Sequence, residues 1–229
     1  MSTDETSPKP PSLNPLRADH GLKQKSDVHI SRKLWHCLGI CTIAILYNYA
    51  GNKASWPLAI AVCAIFIPLD FLRLRNRSLN QAALKVFGPV MRRHENSHMS
   101  GMSYLFIACI FLLLLNSRPV VTLTLLFLAF GDPVASFFGL RYGKERILGN
   151  KTLEGTMAAF FVCTFIAGIF YYFNNLMTER LLIVVPVSGL IGALAELIPI
   201  GKLDDNLTFP VVGSCLLWVL FKVYGGFAL

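Results

Sequence analysis

"VVTLTLLFLAFGDPVASFFGLRY", Val120 to Tyr142, is apolar from its first residue to Gly131, meets Asp132 and Pro133, and resumes an apolar course. Its length matches the ~20 residues that an α-helix needs to cross a bilayer. The same pattern recurs along the chain, with apolar runs near 34–50, 54–72, 102–117, 119–141, 155–173, 181–199 and 209–227. Of the 229 residues 54% are hydrophobic, and the mean hydropathy of +0.55 exceeds that of ordinary soluble domains. The expected fold is therefore an all-α polytopic integral membrane bundle of about seven transmembrane helices. No internal repeat is evident.

Segment 1–28, beginning "MSTDETSPKPPSLNPL", is polar and Pro-rich. It lacks the apolar core of a secretory leader and reads as a disordered tail, leaving 29–229 as the transmembrane domain. The six cysteines all lie in apolar runs and form no CxxC pair. Cys37 and Cys41 share helical i,i+4 spacing, yet small buried thiols fit better than zinc or redox chemistry.

Orientation follows from Lys and Arg. With the N-terminus inside, 17 of these residues fall on the inner side and only Lys53, Arg118, Arg180 and Lys222 on the outer. That positive-inside bias predicts a cytoplasmic N-terminus. The net charge of +8 is explained by basic loops against anionic lipid, and no nucleic acid is expected as a partner. "NRS", "NKT" and "NLT" match the glycosylation pattern but fall on the wrong side.

The unusual polar residues gather on that same inner side: Arg32, Lys33 and His36 in "RKLWH"; Asp70 in "PLDFLRLR"; Glu95 in "MRRHENSHMSGMSY"; Glu196, Asp204, Asp205 and Asn206 in "LAELIPIGKLDDNLTFP". Charges at membrane depth are costly, so each is a functional candidate. Carboxylates and an Asn facing cations suit a metal–nucleotide, the acids toward Mg²⁺ and Lys or Arg toward phosphate. Asp70 with Arg73, or Glu196 with Lys202, would equally satisfy each other as simple ion pairs.

Asp132 precedes Pro133, which disfavours helix at Asp132 and suits a first helical position, so a break with a new short helix is expected there. Asp132, Ala135 or Ser136, Gly139 and Gly143 then share one face. Two readings stay open: close approach of a ligand to the backbone, or a GxxxG packing seam. Lys144, Arg146 and Lys151 favour the ligand, and Lys151 with Thr152 opens the next helix, where free N–H groups attract phosphate. His36 is either a base or a structural hydrogen-bond donor.

Taken in order, "RKLWH", "WPLAIAVCAIFIPLDFLRL", "MRRHENSHMSG", "GDPVASFFGLRYGK", "NKTLEGT" and "DDNLTFP" resemble the CTP-dependent lipid kinases, which act on diacylglycerol, dolichol or phytol. The likeness covers about residues 31–212 and leans toward the fungal-type diacylglycerol kinases. It implies CTP as donor, a divalent cation such as Mg²⁺, and a lipid alcohol as acceptor, diacylglycerol being favoured. By similarity Arg32, Lys33, Asp132 and Gly139 stand where the family needs residues for activity, while Pro133 departs from the small residue expected there. We expect Asp132, Arg32, Lys33 and His36 at the reaction centre. Gly139, Gly143, Lys144, Lys151, Thr152 and Asn206 are expected on the nucleotide, Asp132, Asp204 and Asp205 on the metal, with Asp70, Glu95 and Glu196 behind them. The site would face the cytoplasm, from the endoplasmic reticulum or nuclear envelope in a eukaryote or the inner membrane in a bacterium. A CTP:phosphatidate cytidylyltransferase shares the "KTLEG" element, and a small transporter is the non-enzymatic rival. Polar groups confined to one side disfavour transport.

Overall fold

The computed structural model describes residues 30–201 and 203–227; segment 1–28 and Lys202 lie outside the described residues. Helix α1 (Ile30–Arg75) contains two spans, Ile30–Gly51 and Lys53–Arg75, joined at Gly51. Gly51 holds φ 70°, a backbone state that a side chain would strain. Then follow α2 (Arg77–Phe87), a 3₁₀ turn (Arg93–Asn96), α3 (Gly101–Leu114) and α4 (Arg118–Tyr142). A small antiparallel hairpin, β1 (Arg146–Leu148) with β2 (Lys151–Thr152), leads into α5 (Leu153–Phe173), α6 (Leu181–Leu197) and α7 (Asp205–Tyr224).

Among the described residues six helical spans are long and apolar enough to cross a membrane, and α3 is a shorter apolar seventh. The protein is thus an all-α polytopic membrane bundle. At 1.5 Å per residue α3 extends only ~21 Å, less than the ~30 Å hydrocarbon core. Side chains such as Leu38, Ile65, Phe165 and Leu182 point outward, as lipid-facing helices require.

Helix α4 is the centre. Val120, Leu123, Leu125, Phe127, Leu128 and Ala129 are all buried, and α1, α5 and α7 pack around it. The expected break at Asp132–Pro133 does not occur: α4 runs through Pro133 for 25 residues. Proline removes one helical N–H, but packed neighbours and polar side chains compensate for such losses within a membrane bundle. Separately, the Lys33 ammonium, crossing from α1, donates to the Pro133 carbonyl at 3.1 Å and ties α1 to α4 at this level. Amphipathic α2, which hydropathy alone does not reveal, is capped by Asn76, whose side chain accepts from the Ser78 N–H at 3.0 Å.

Because successive spans alternate in direction, the start of α1, the end of α4, the hairpin, the end of α6 and the start of α7 meet at one end of the bundle.

Candidate active site

A cleft of about 450 Å³ opens at that end. Helix α1 contributes Arg32, Lys33 and His36, α4 contributes Asp132, Ser136, Gly139 and Gly143, and Arg92 enters from the loop before α3. Lys144, Arg146, Asn150, Lys151 and Thr152 come from the hairpin region, Glu196 from α6, and Asp205 and Asn206 from α7. Six of these side chains are cations and three are carboxylates, so the cleft carries an excess of positive charge suited to a polyanion.

Most of the charges are already held. Lys151 Nζ lies 2.6 Å from Glu196 Oε1 and 3.6 Å from Asp205 Oδ2. Burial lowers the Lys151 pKa, but Asp205, Glu196 and Asp132 more than reverse that and leave it above the ordinary lysine value. Arg32 Nη1 contacts Glu95 Oε1 at 3.3 Å and the Val90 carbonyl at 3.0 Å. Lys33 also sits 5.4 Å from the centre of the Phe137 ring, a cation–π arrangement. His36 Nε2 bonds Asn206 Oδ1 at 2.8 Å. Asp132 stands apart: no hydrogen bond or ion pair within the described residues engages its carboxylate, although His36, Lys151, Arg92 and Arg32 surround it electrostatically. A carboxylate left free among cations, on a cleft wall, is poised for a ligand rather than for folding.

The structure thus brings together Arg32, Lys33, His36, Asp132, Gly139, Gly143, Lys144, Lys151, Thr152, Glu196, Asp205 and Asn206 in one cleft. Three candidate residues do not line the cleft, and two of them, Asp70 and Glu95, were expected behind it. Asp204 is the N-cap of α7, its Oδ1 accepting from the Asn206 N–H at 3.0 Å and its Oδ2 meeting Arg92 Nη1 at 3.3 Å. It does not line the cleft: one oxygen caps α7 and the other pairs with Arg92. Asp70 pairs with Arg73 at 2.6 Å and accepts from Ser103 Oγ at 2.6 Å, tying α1 to α3 behind the site. Glu95 is buried beneath Arg32.

The glycines resolve chiefly as packing. A Cβ on Gly143 would fall 2.7 Å from Thr152 Cγ2, and one on Gly139 would fall 3.0 Å from Thr152 Oγ1. They let α4 lie against the start of α5 while still bordering the cleft. Thr152 caps α5, its Oγ1 accepting from the Gly155 N–H at 3.2 Å, so one of the N–H groups expected to face phosphate is occupied. Sequence reasoning missed Arg92; its signal was the "MRRHE" run, with a cation three residues before an acid.

Among the described residues no group of three or more His, Cys, Asp or Glu side chains forms a ready metal cage. Asp132 and Asp205, however, border the same cleft, and magnesium commonly binds one or two carboxylates together with substrate phosphates. The donor set therefore fits a divalent ion that arrives with a nucleotide.

No protein-family model matches the chain, and no solved structure matches it. Among curated proteins, CTP-dependent diacylglycerol kinase 1 of Schizosaccharomyces pombe is 30% identical over 204 residues, spanning 83% of this chain and 93% of that protein. Its Saccharomyces cerevisiae counterpart is also 30% identical, over 85% of this chain and 74% of the relative. Dolichol kinase of Saccharomyces cerevisiae is 30% identical over 200 residues, 82% of this chain but 36% of that longer protein.

Proposed function

The chain belongs to the CTP-dependent lipid kinase family, and on that premise we propose that it phosphorylates diacylglycerol with CTP at the cytoplasmic face of its membrane. The single observation that carries this reading is the unengaged Asp132 carboxylate within a cleft of excess cations. The lipid hydroxyl oxygen forms a bond to the γ-phosphorus as the β,γ-bridging P–O bond breaks. Phosphatidate and CDP result, and the hydroxyl proton passes to a base on the cleft wall, either a carboxylate or His36. Phosphoryl transfer asks the protein mainly for positioning and charge stabilisation. Arg32, Lys33, Arg92, Lys144 and Lys151 supply the charge toward the phosphate oxygens.

Asp132 and Asp205 would hold Mg²⁺, which when bound supplies charge neutralisation of the phosphate oxygens. Diacylglycerol and CTP are carried over from the names of the fungal relatives. The cytoplasmic placement is supported by the bias of Lys and Arg toward the end of the bundle that bears the cleft.

The test is purified protein in detergent with Mg²⁺, CTP or ATP labelled at the γ-position, and diacylglycerol, a polyprenol and phytol as acceptors. Labelled phosphatidate from CTP is expected, with Asp132→Asn reducing it at least ~100-fold. A label that appears only on polyprenol or phytol moves the acceptor assignment, and no labelled lipid at all refutes the kinase reading.

A further inference from the structure

Building on that kinase reading, we infer that Glu95 is a positioning residue for phosphoryl transfer, fixing Arg32 directly and His36 through the Gly101 peptide group and Asn206. Glu95 is 2% exposed and lies in the 3₁₀ turn between α2 and α3. An ionised carboxylate offers about four acceptor sites, and three donors use them. Oε2 accepts from the Arg92 N–H at 2.9 Å, Oε1 from the Gly101 N–H at 3.1 Å, and Arg32 Nη1 approaches the two oxygens at 3.3 and 3.5 Å. One buried acid thereby sets the place of a cleft arginine against a loop.

On the other side of the same residue, the Gly101 carbonyl accepts from Asn206 Nδ2 at 3.2 Å. That bond identifies the nitrogen end of the Asn206 amide, so its oxygen is the atom facing His36 Nε2 at 2.8 Å. An oxygen acceptor requires Nε2 to carry the proton, because the hydrogen bond made by one ring nitrogen sets the tautomer of the other. Neutral His36 therefore keeps its lone pair on Nδ1, which is buried and without a partner. Gly101 is wedged between the two holders: a Cβ there would lie 2.5 Å from Asn206 Nδ2 and 3.5 Å from Arg32 Nη2.

The turn cannot drift, since Arg73 Nη1 donates to the Glu95 carbonyl at 2.9 Å while Arg73 Nε pairs with Asp70 at 2.6 Å. The Ser100 N–H in turn donates to Asp70 at 2.8 Å. The position of Arg32 and the proton on His36 thus descend from one rigid extramembrane turn.

Two measurements decide the matter. In the first, kcat/KM for CTP is compared for wild type, Glu95→Gln, Arg32→Lys and the double variant. Glu95→Gln should lose about 10–100-fold in the wild-type background, the usual range for groups that orient a site. It should lose several-fold less once Arg32 is already changed, the remaining loss being the part that passes through His36, because interacting residues are not additive. The same loss in both backgrounds would mean a purely structural role and overturn the inference. In the second, ¹⁵N-histidine spectra of the purified protein, with the His36 signal assigned by His36→Gln, report the tautomer without any turnover. Gly101→Ala should displace Asn206 and shift His36 from the Nε2–H form toward a mixture of tautomers. An unchanged His36 signal in a folded Gly101→Ala protein breaks the relay. If the wild type transfers no phosphate, the kinase reading fails while the spectra still decide whether the turn sets His36.

Discussion

Replacing Lys151 by Met separates folding from catalysis. Lys151 Nζ sits 2.6 Å from Glu196 Oε1, with side-chain exposures of 21% and 5%. At an effective dielectric of about 20, unit charges at that separation attract by roughly 6 kcal/mol before desolvation is subtracted. Removing one partner of a buried pair leaves the other charge uncompensated, and such deletions cost about 3–5 kcal/mol. Lys151→Met should therefore lower the apparent melting temperature in detergent on the order of 10 °C. Adding Glu196→Gln removes the stranded charge and should recover most of that loss. Activity should not follow: the double variant lacks a phosphate-facing cation and should stay about 10²–10³-fold below wild type. Because neighbouring carboxylates raise the Lys151 pKa, its contribution is complete below lysine's ordinary range and is lost only as pH rises above it. The stability difference between wild type and Lys151→Met should thus hold from neutral pH to about pH 9. Thermal unfolding by intrinsic fluorescence and labelled-lipid formation are the two assays. Turnover restored in the double variant would reduce Lys151 to an ion-pair partner and refute its place on the nucleotide.

Two further outcomes follow from the cleft. Chelation of divalent cations should stop transfer and added Mg²⁺ should restore it, with Asp205→Asn needing about tenfold more Mg²⁺ for half-maximal rate; undiminished turnover in chelator would remove the ion from the site. Gly143→Ala drives a methyl group onto the Gly139 carbonyl and to 2.7 Å from Thr152 Cγ2, and should cost about 3 kcal/mol of stability or more as overpacking. Thr152→Ser, which removes that methyl, should recover part of the loss, whereas a change confined to KM for CTP would return Gly143 to nucleotide binding.

What could be read from the sequence followed the range of the forces involved. Spans were legible because hydropathy over about 20 residues is a local sum, and Leu153–Phe173 and Leu181–Leu197 begin and end within two residues of expectation. The break at Pro133 was not, because a local propensity was overruled by the packing of α4 against α1, α5 and α7. Amphipathic α2 escaped notice because its apolar stripe is short and interleaved with Arg77 and Lys85. In the cleft, residue types foretold which groups would be acids and which cations, since charge in a membrane chain concentrates where it is useful. They did not foretell who would hold whom. Asp204 and Asp205 are adjacent in sequence, yet the helical start at Asp205 turns one toward Arg92 and the other toward Lys151. That division depends on the capping geometry of α7 and on a loop 112 residues away. In a cleft built from helix ends, a change of one residue in helix start moves a carboxylate from the cleft wall to the cap, so the cap positions are where reading motifs alone most readily goes astray.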